Sequence, residues 1–228
     1  MSRIILVVEG ETEQAVVREV IAPRLVVKDV FLTAALVGKP GHKGGVRSFQ
    51  KVRKDIVRLL RQETDTRIGT FFDYYALPSD WPGLADSKTQ SDIQKAITVE
   101  AAMAKDVAAA MGPDFQCRRF IPYIQLHETE ALLFADPNCM AEAFENGRLA
   151  EHFAAILAEF GNDCEMIDDG PTTAPSKRIQ AVYPKYQKGK GLNAHAPLIL
   201  TSIGIQRLCD TCRHFGKWYG ILEADQRV

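Results

Sequence analysis

Acidic residues recur in this sequence where strands are expected to end. Glu9 follows the apolar run 4–8, Asp73 follows the run 66–72, and Glu128 and Glu130 follow the run 115–124. Glu13 lies four residues beyond Glu9, about one helical turn, so both can point the same way. Carboxylates within ~4–6 Å of one another raise each other's pKa, and a hard divalent cation removes that cost. Mg²⁺ or Mn²⁺ held by one or two carboxylates plus water and phosphate suits such a donor set. Two such ions roughly 3.5–4 Å apart can clamp the attacking and leaving oxygens of a phosphodiester. The plainer alternative is that each acid is a helix cap or a solvated loop residue. Glu11 and Glu13 also suit the first turn of a helix, where the dipole favours negative charge. Repetition at one kind of strand terminus is what favours a shared site.

The elements that must carry these acids read as an α/β chain. Residues 4–8 are continuously apolar and β-branched, as in a strand buried on both faces. A helix follows from Thr12, with Val16, Val17, Val20 and Ile21 as its stripe and Pro23 near its end. Residues 30–37 form a second expected strand, and Val52, Ile56, Leu59 and Leu60 give the next helix its period, with Ser48 as a candidate cap. The third strand spans 66–72. A long loop is expected over 74–90, a helix from Ser91 or Asp92 to Met111, a fourth strand over 115–124 and a short apolar helix ending at Phe134. This alternation predicts a mostly parallel sheet of about four strands flanked by helices. In such sheets ligands bind beyond the carboxyl ends of the strands. Residues 1–136 read as this core, and 137–228 as a helical extension packed on it in one compact unit.

With 228 residues, 46% hydrophobic and 25% charged, the composition is that of a soluble globular protein. The formal net charge of −1 means that an anionic partner would have to meet a local basic patch. No apolar run approaches the ~20 residues of a membrane span. Five cysteines form no dense framework, which predicts a reducing, cytoplasmic setting.

Lys39, His42, Lys43 and Arg47 surround a glycine-rich loop suited to phosphate contact. The loop does not match G-x-x-x-x-G-K-S/T, which excludes a P-loop. Lys51, Arg53, Lys54, Arg58 and Arg61 on the following helix read as a solvated face. Cys209 and Cys212, with His214 nearby, lack the further ligands that a structural zinc requires and read as core. His127 is either a general acid or base beside the acids or a structural histidine.

Several of these segments resemble a known family. Val8-Glu9-Gly10-Glu11-Thr12-Glu13 resembles the first Toprim motif of OLD-family (overcoming lysogenization defect) nucleases, and Phe72-Asp73 the start of the second. The run from His127 to Leu133 followed by Asp136, and Pro175-Ser176-Lys177-Arg178, resemble small bacterial Toprim-like proteins. Such proteins are often encoded beside an ABC-type ATPase, in the manner of abortive-infection and anti-phage systems. The resemblance implies a Toprim-like sheet, metal held by Glu9 and Asp73, and Lys177 near the scissile phosphate. The family's second Asp is absent, because the chain reads Asp73-Tyr74-Tyr75; Glu128 or Glu130 is the available substitute. The implied function is a Mg²⁺- or Mn²⁺-dependent nuclease acting on DNA or RNA. Glu9, Asp73, Glu128 and Lys177 would be its catalytic residues, and Glu13 and Glu130 further ligands. The alternative is a non-catalytic effector or regulatory partner of the ATPase. No nucleotide-binding segment is visible to support a nucleotidyltransferase or primase.

Overall fold

The N-terminal apolar run forms the central strand of a parallel sheet. A computed structural model describes residues 1–38, 48–75, 77–168, 170–186 and 191–224 of the chain. Its five strands are β1 (Ser2–Val8), β2 (Val30–Leu36), β3 (Thr66–Asp73), β4 (Phe120–Ile121) and β5 (Ile124–Gln125). They run in the order β2-β1-β3-β4, with β5 also on β3, and every pairing is parallel. Alternation along the strands sends Ile4, Leu6, Val8 and Phe71 into one apolar core and Val7, Ile68 and Phe72 into another. β2 lies on one side of β1 and β3 on the other. The chain therefore switches direction across the sheet between β1 and β3.

The expected fourth strand is in fact two short ones. It begins at Phe120 rather than 115, because Cys117–Arg119 form a 3₁₀ turn. Pro122 then interrupts it, having no N–H to give to the ladder. The Thr70 hydroxyl fills the gap by accepting from Tyr123 N–H at 2.9 Å and donating to Tyr123 C=O at 3.1 Å.

The helices show similar local adjustments. α1 (Glu11–Val16) passes through a π-helical stretch, Val17–Ile21, into α2 (Ala22–Val26), which ends soon after Pro23 as expected. The wider π turn lies just ahead of the residue that cannot donate. α3 (Phe49–Gln62) buries Phe49, Val52, Ile56 and Leu60. Its cap is Asp80, which accepts from Phe49 N–H and from the Ser48 hydroxyl, so Ser48 acts through Asp80 rather than directly. The stretch expected as loop contains α4 (Leu84–Ser87), and Trp81 there packs edge-on against Phe49 and Phe72. α5 (Asp92–Met111) completes this face of the sheet.

Beyond β5 come a 3₁₀ segment, Thr129–Ala135, and α6 (Pro137–Ala143), α7 (Leu149–Glu159), α8 (Pro175–Val182), α9 (Gly191–Ile203), α10 (Ile205–Thr211) and α11 (Arg213–Glu223). One apolar core joins β1 and β3 to Phe134, Phe153, Leu200 and Trp218 of this region, and α9 packs on α1.

α11 is held at both ends. Glu165 accepts from the N–H groups of His214 (2.6 Å) and Phe215 (2.9 Å), and buried Arg67 of β3 donates to the carbonyls of Ile221 (3.2 Å) and Leu222 (3.3 Å). Both contacts suit the helix dipole. His214 Nε2 also lies 2.8 Å from Glu100 Oε1 on α5. Cys164 and Cys212 are joined by a disulfide in the core beside this joint, with Cα atoms 6.1 Å apart. Cys212 is thus a core residue, and its neighbour is Cys164 rather than Cys209. Among the described residues, no helix is long and apolar enough to cross a membrane.

Burial pushes the Glu165 carboxyl from 4.5 up to about 7, against the pull of the two N–H groups that favour its charged form. The folded chain therefore binds this proton more tightly than the unfolded chain does. The resulting stability is full below the ordinary carboxylate range and is lost as pH rises to about 7. Glu165→Gln keeps an acceptor for one of the two amides and removes the titration. Urea denaturation from pH 4 to 8 should show the variant losing less stability than the wild type across this window, by on the order of 2–3 kcal/mol. Parallel pH profiles would refute this account of Glu165.

Candidate functional site

Asp73 ends β3 on the same face as Phe71, looking toward α1 and the C-terminal helices. β5 sets its surroundings. Asp73 pairs with Gln125, Tyr74 N–H bonds to Gln125 C=O (2.9 Å), and Tyr75 N–H bonds to His127 C=O (3.1 Å). The chain then turns at His127, whose φ of 60° is left-handed. That conformation costs a non-glycine residue roughly 1 kcal/mol or more. It brings Thr129 back so that its hydroxyl donates to Asp73 Oδ1 at 2.7 Å. His127 is buried, with Nε2 4.0 Å from Asp92 Oδ1 at the start of α5.

The other acids arrive from two directions. Gly10 starts α1, and its N–H donates to Glu13 Oε2 at 2.9 Å, which fixes Glu13 in the first turn. Glu130 is buried and accepts from the Tyr186 hydroxyl at 3.3 Å. Burial, and then the charge of Glu130, its hydrogen bond and the charge of Glu128, push the Tyr186 hydroxyl well above the ordinary phenol range, so it stays a donor. Glu128 is buried too, but its Oε2 accepts from Ser176 N–H at 3.0 Å. It anchors the start of α8.

Asp73 feels the gathering directly. Its carboxyl is held well above the usual range, first by the loss of water around its charged form, then by the charges of Glu13 and Glu130 and, more weakly, Glu9. The Thr129 hydrogen bond favours the charged form without reversing the balance. Asp73 and Glu9 keep partial access to solvent, while Glu13 and Glu130 are buried.

The structure thus brings Glu9, Glu13, Asp73 and Glu130 into one electrostatic neighbourhood at the β1–β3 switch. Glu128 is turned to α8, where it accepts from Ser176 N–H. Lys177 is exposed in the first turn of α8, beside Ser176. Lys39, His42, Lys43 and Arg47 lie outside the described residues. An all-carboxylate oxygen set is the chemistry a hard divalent cation takes. Among the described residues, however, no three His, Cys, Asp or Glu side chains are grouped so as to hold a metal ion as they stand. Asp73 and Glu9 are the pair with solvent access through which an ion could be held.

Sequence reasoning missed Thr129 and Tyr186, the hydroxyls that position Asp73 and Glu130. Thr129 lies inside a segment singled out for its acids. Tyr186 lies 56 residues from Glu130, and no spacing marks it.

Fold and site together define a parallel α/β protein with an acidic cluster at the switch point of its sheet. The chain belongs to the family described as "Domain of unknown function (DUF4276)", whose model matches residues 8–223. No curated protein and no solved structure matches it.

A carboxyl whose pKa is raised on folding contributes stability that is full below its unfolded pKa and lost as pH rises through the folded value. Asp73→Asn keeps an acceptor for Thr129 and removes the charge. In metal-free buffer at pH 7 the variant should be more stable than the wild type by more than about 1 kcal/mol. The gain should shrink toward pH 4. A variant that is less stable at pH 7 would show that Asp73 is not under electrostatic load.

Proposed function

We propose that this chain is a metal-dependent phosphodiester hydrolase of the Toprim kind, acting on DNA or RNA with Mg²⁺ or Mn²⁺ in a cytoplasmic setting. The observation that carries this reading is Asp73, raised first by burial and then by three other acids at the sheet edge where α/β folds bind ligands. Glu9 and Asp73 would hold the ion, with Glu13 and Glu130 adding to the negative potential there. A divalent cation, when bound, would neutralise that potential and polarise the phosphoryl oxygens. Thr129 and Tyr186 keep two of the carboxylates oriented. Lys177, one turn into α8, would face charge developing on the phosphate.

One set of observations favours a second reading, a non-catalytic effector or regulatory partner of an ABC-type ATPase. Glu128, one of the two acids available to replace the missing second Asp, is committed to Ser176 N–H, and the residues after Asp73 are tyrosines. A Toprim-like shell whose acids no longer group tightly enough to catalyse would look like this.

A cleavage assay separates the two. On the hydrolase reading the purified protein cleaves DNA or RNA in Mg²⁺ or Mn²⁺, and Glu9→Gln abolishes cleavage without altering the circular dichroism spectrum. Lys177→Ala lowers kcat by on the order of 10²–10³ with little change in KM. Metal at ~100 times its Kd stabilises the wild type by roughly 2.7 kcal/mol and Glu9→Gln by far less. Cleavage that survives Glu9→Gln puts the active site elsewhere. Silence on every substrate, with metal bound and with the ATPase partner present, leaves the effector reading standing.

A further inference from the structure

α3 carries five cations, Lys51, Arg53, Lys54, Arg58 and Arg61, against one acid, Asp55, in a chain whose formal net charge is −1. Lys51, Lys54, Arg58 and Arg61 recur at i, i+3, i+7 and i+10, all exposed. They form one stripe running ~15 Å along the helix. Helix faces that are merely solvated usually interleave the two signs in i,i+4 pairs. Here Asp55 is already engaged, accepting from Gly38 N–H at 3.0 Å and meeting Arg58 at 3.3 Å. Arg53 reaches across to Asp106 of α5, and Arg61 donates to Ala110 C=O at 3.2 Å. These contacts hold the guanidinium groups along an open groove of about 590 Å³ between α3 and the end of α5.

The stripe has a fixed direction relative to the acidic edge. Asp80, beyond the carboxyl end of β3, caps the start of α3. Arg119, just before β4, donates to Leu60 C=O at its other end. Lys51 therefore lies one turn from the sheet edge that carries the acids, and Arg61 lies near the opposite edge.

We propose that this face of α3 is a docking tract for the phosphate backbone of double-stranded DNA. A straight, rigid row of cations matches the regular phosphates of a duplex, and guanidinium forks are suited to phosphate oxygens. Binding here is independent of sequence; α3 packs on the sheet face opposite the one Asp73 looks toward, and the start of the stripe lies at the end of the sheet that carries the acids. The inference rests on the hydrolase reading for its purpose, but binding alone tests it.

The test is fluorescence anisotropy of a labelled duplex in EDTA between ~50 and ~200 mM salt, where log K falls with log salt by about 0.9 per phosphate contacted. A same-length single strand and poly-glutamate serve as the other probes. The variant Lys51→Gln/Lys54→Gln/Arg61→Gln should weaken duplex binding at least tenfold at low salt and reduce the slope by about 2–3. Arg58→Lys/Arg61→Lys, which keeps the charge, should retain the slope. Matching circular dichroism and melting curves establish that the variants are folded. Unchanged affinity and slope in the triple variant would falsify the tract. A wild type that does not bind duplex at low salt overturns it, as does preference for the single strand. Binding of poly-glutamate but not duplex through these residues assigns the face to an acidic protein instead. Duplex binding that depends on α3, with no cleavage of any DNA or RNA in either metal and with the ATPase partner present, sinks the hydrolase reading alone. Metal-dependent cleavage with binding unchanged in the triple variant sinks this inference alone.

Discussion

Asp73 stands at the end of a strand with Glu13, Glu130 and Glu9 all close enough to raise its pKa, and apolar packing cannot relieve that repulsion. Like charges stay together only where the backbone that carries them is held by something stronger. The parallel ladder fixes the ends of β1 and β3. Gly10 N–H holds Glu13, the Thr129 hydroxyl holds Asp73, and the Tyr186 hydroxyl holds Glu130. Each of these donors offsets part of the cost of a carboxylate with little water around it. The left-handed turn at His127 belongs to the same account, because without it Thr129 and Glu130 would not return to the sheet edge.

The C-terminal helices contribute to the site by keeping α1 and the sheet in place. α9 packs on α1, and α11 is tied to β3 through Arg67, to α5 through His214 and to the 164–166 turn through Glu165. Tyr123, stacked on Trp218 at 4.2 Å, lies between this anchor and the acids, close enough for Asp73 to raise its hydroxyl after burial, Glu165 and Glu100 have done so. The helical region is therefore part of the support for the β1–β3 switch.

Much of this was legible in the sequence where one residue type has one physical meaning. Continuous β-branched runs gave buried parallel strands, and the 52–56–60 period gave α3 its inner face. The acids fell at the strand ends because chain direction and parallel pairing leave them nowhere else. What could not be read depended on contacts distant in sequence. The fourth strand broke because Pro122 sits in it, and it survived because Thr70 repairs the ladder. The loop over 74–90 proved to be packed because Trp81 finds Phe49 and Phe72. Glu128 and Glu130 look alike in sequence, and only the placement of α8 and Tyr186 sends one to Ser176 and leaves the other beside Asp73.

Net charge concealed the feature that best organises the molecule. A formal charge of −1 is compatible with an even mixture of signs, yet here the acids gather at one sheet edge while α3 carries an excess of cations. Such separation produces a directed field, which composition averages away. At the acidic edge that field adds to burial in favouring the protonated form of Asp73. On the proposed metal-binding reading, a proton and a cation would compete for the raised Asp73 carboxyl, so cation affinity would climb with pH as that carboxyl ionises.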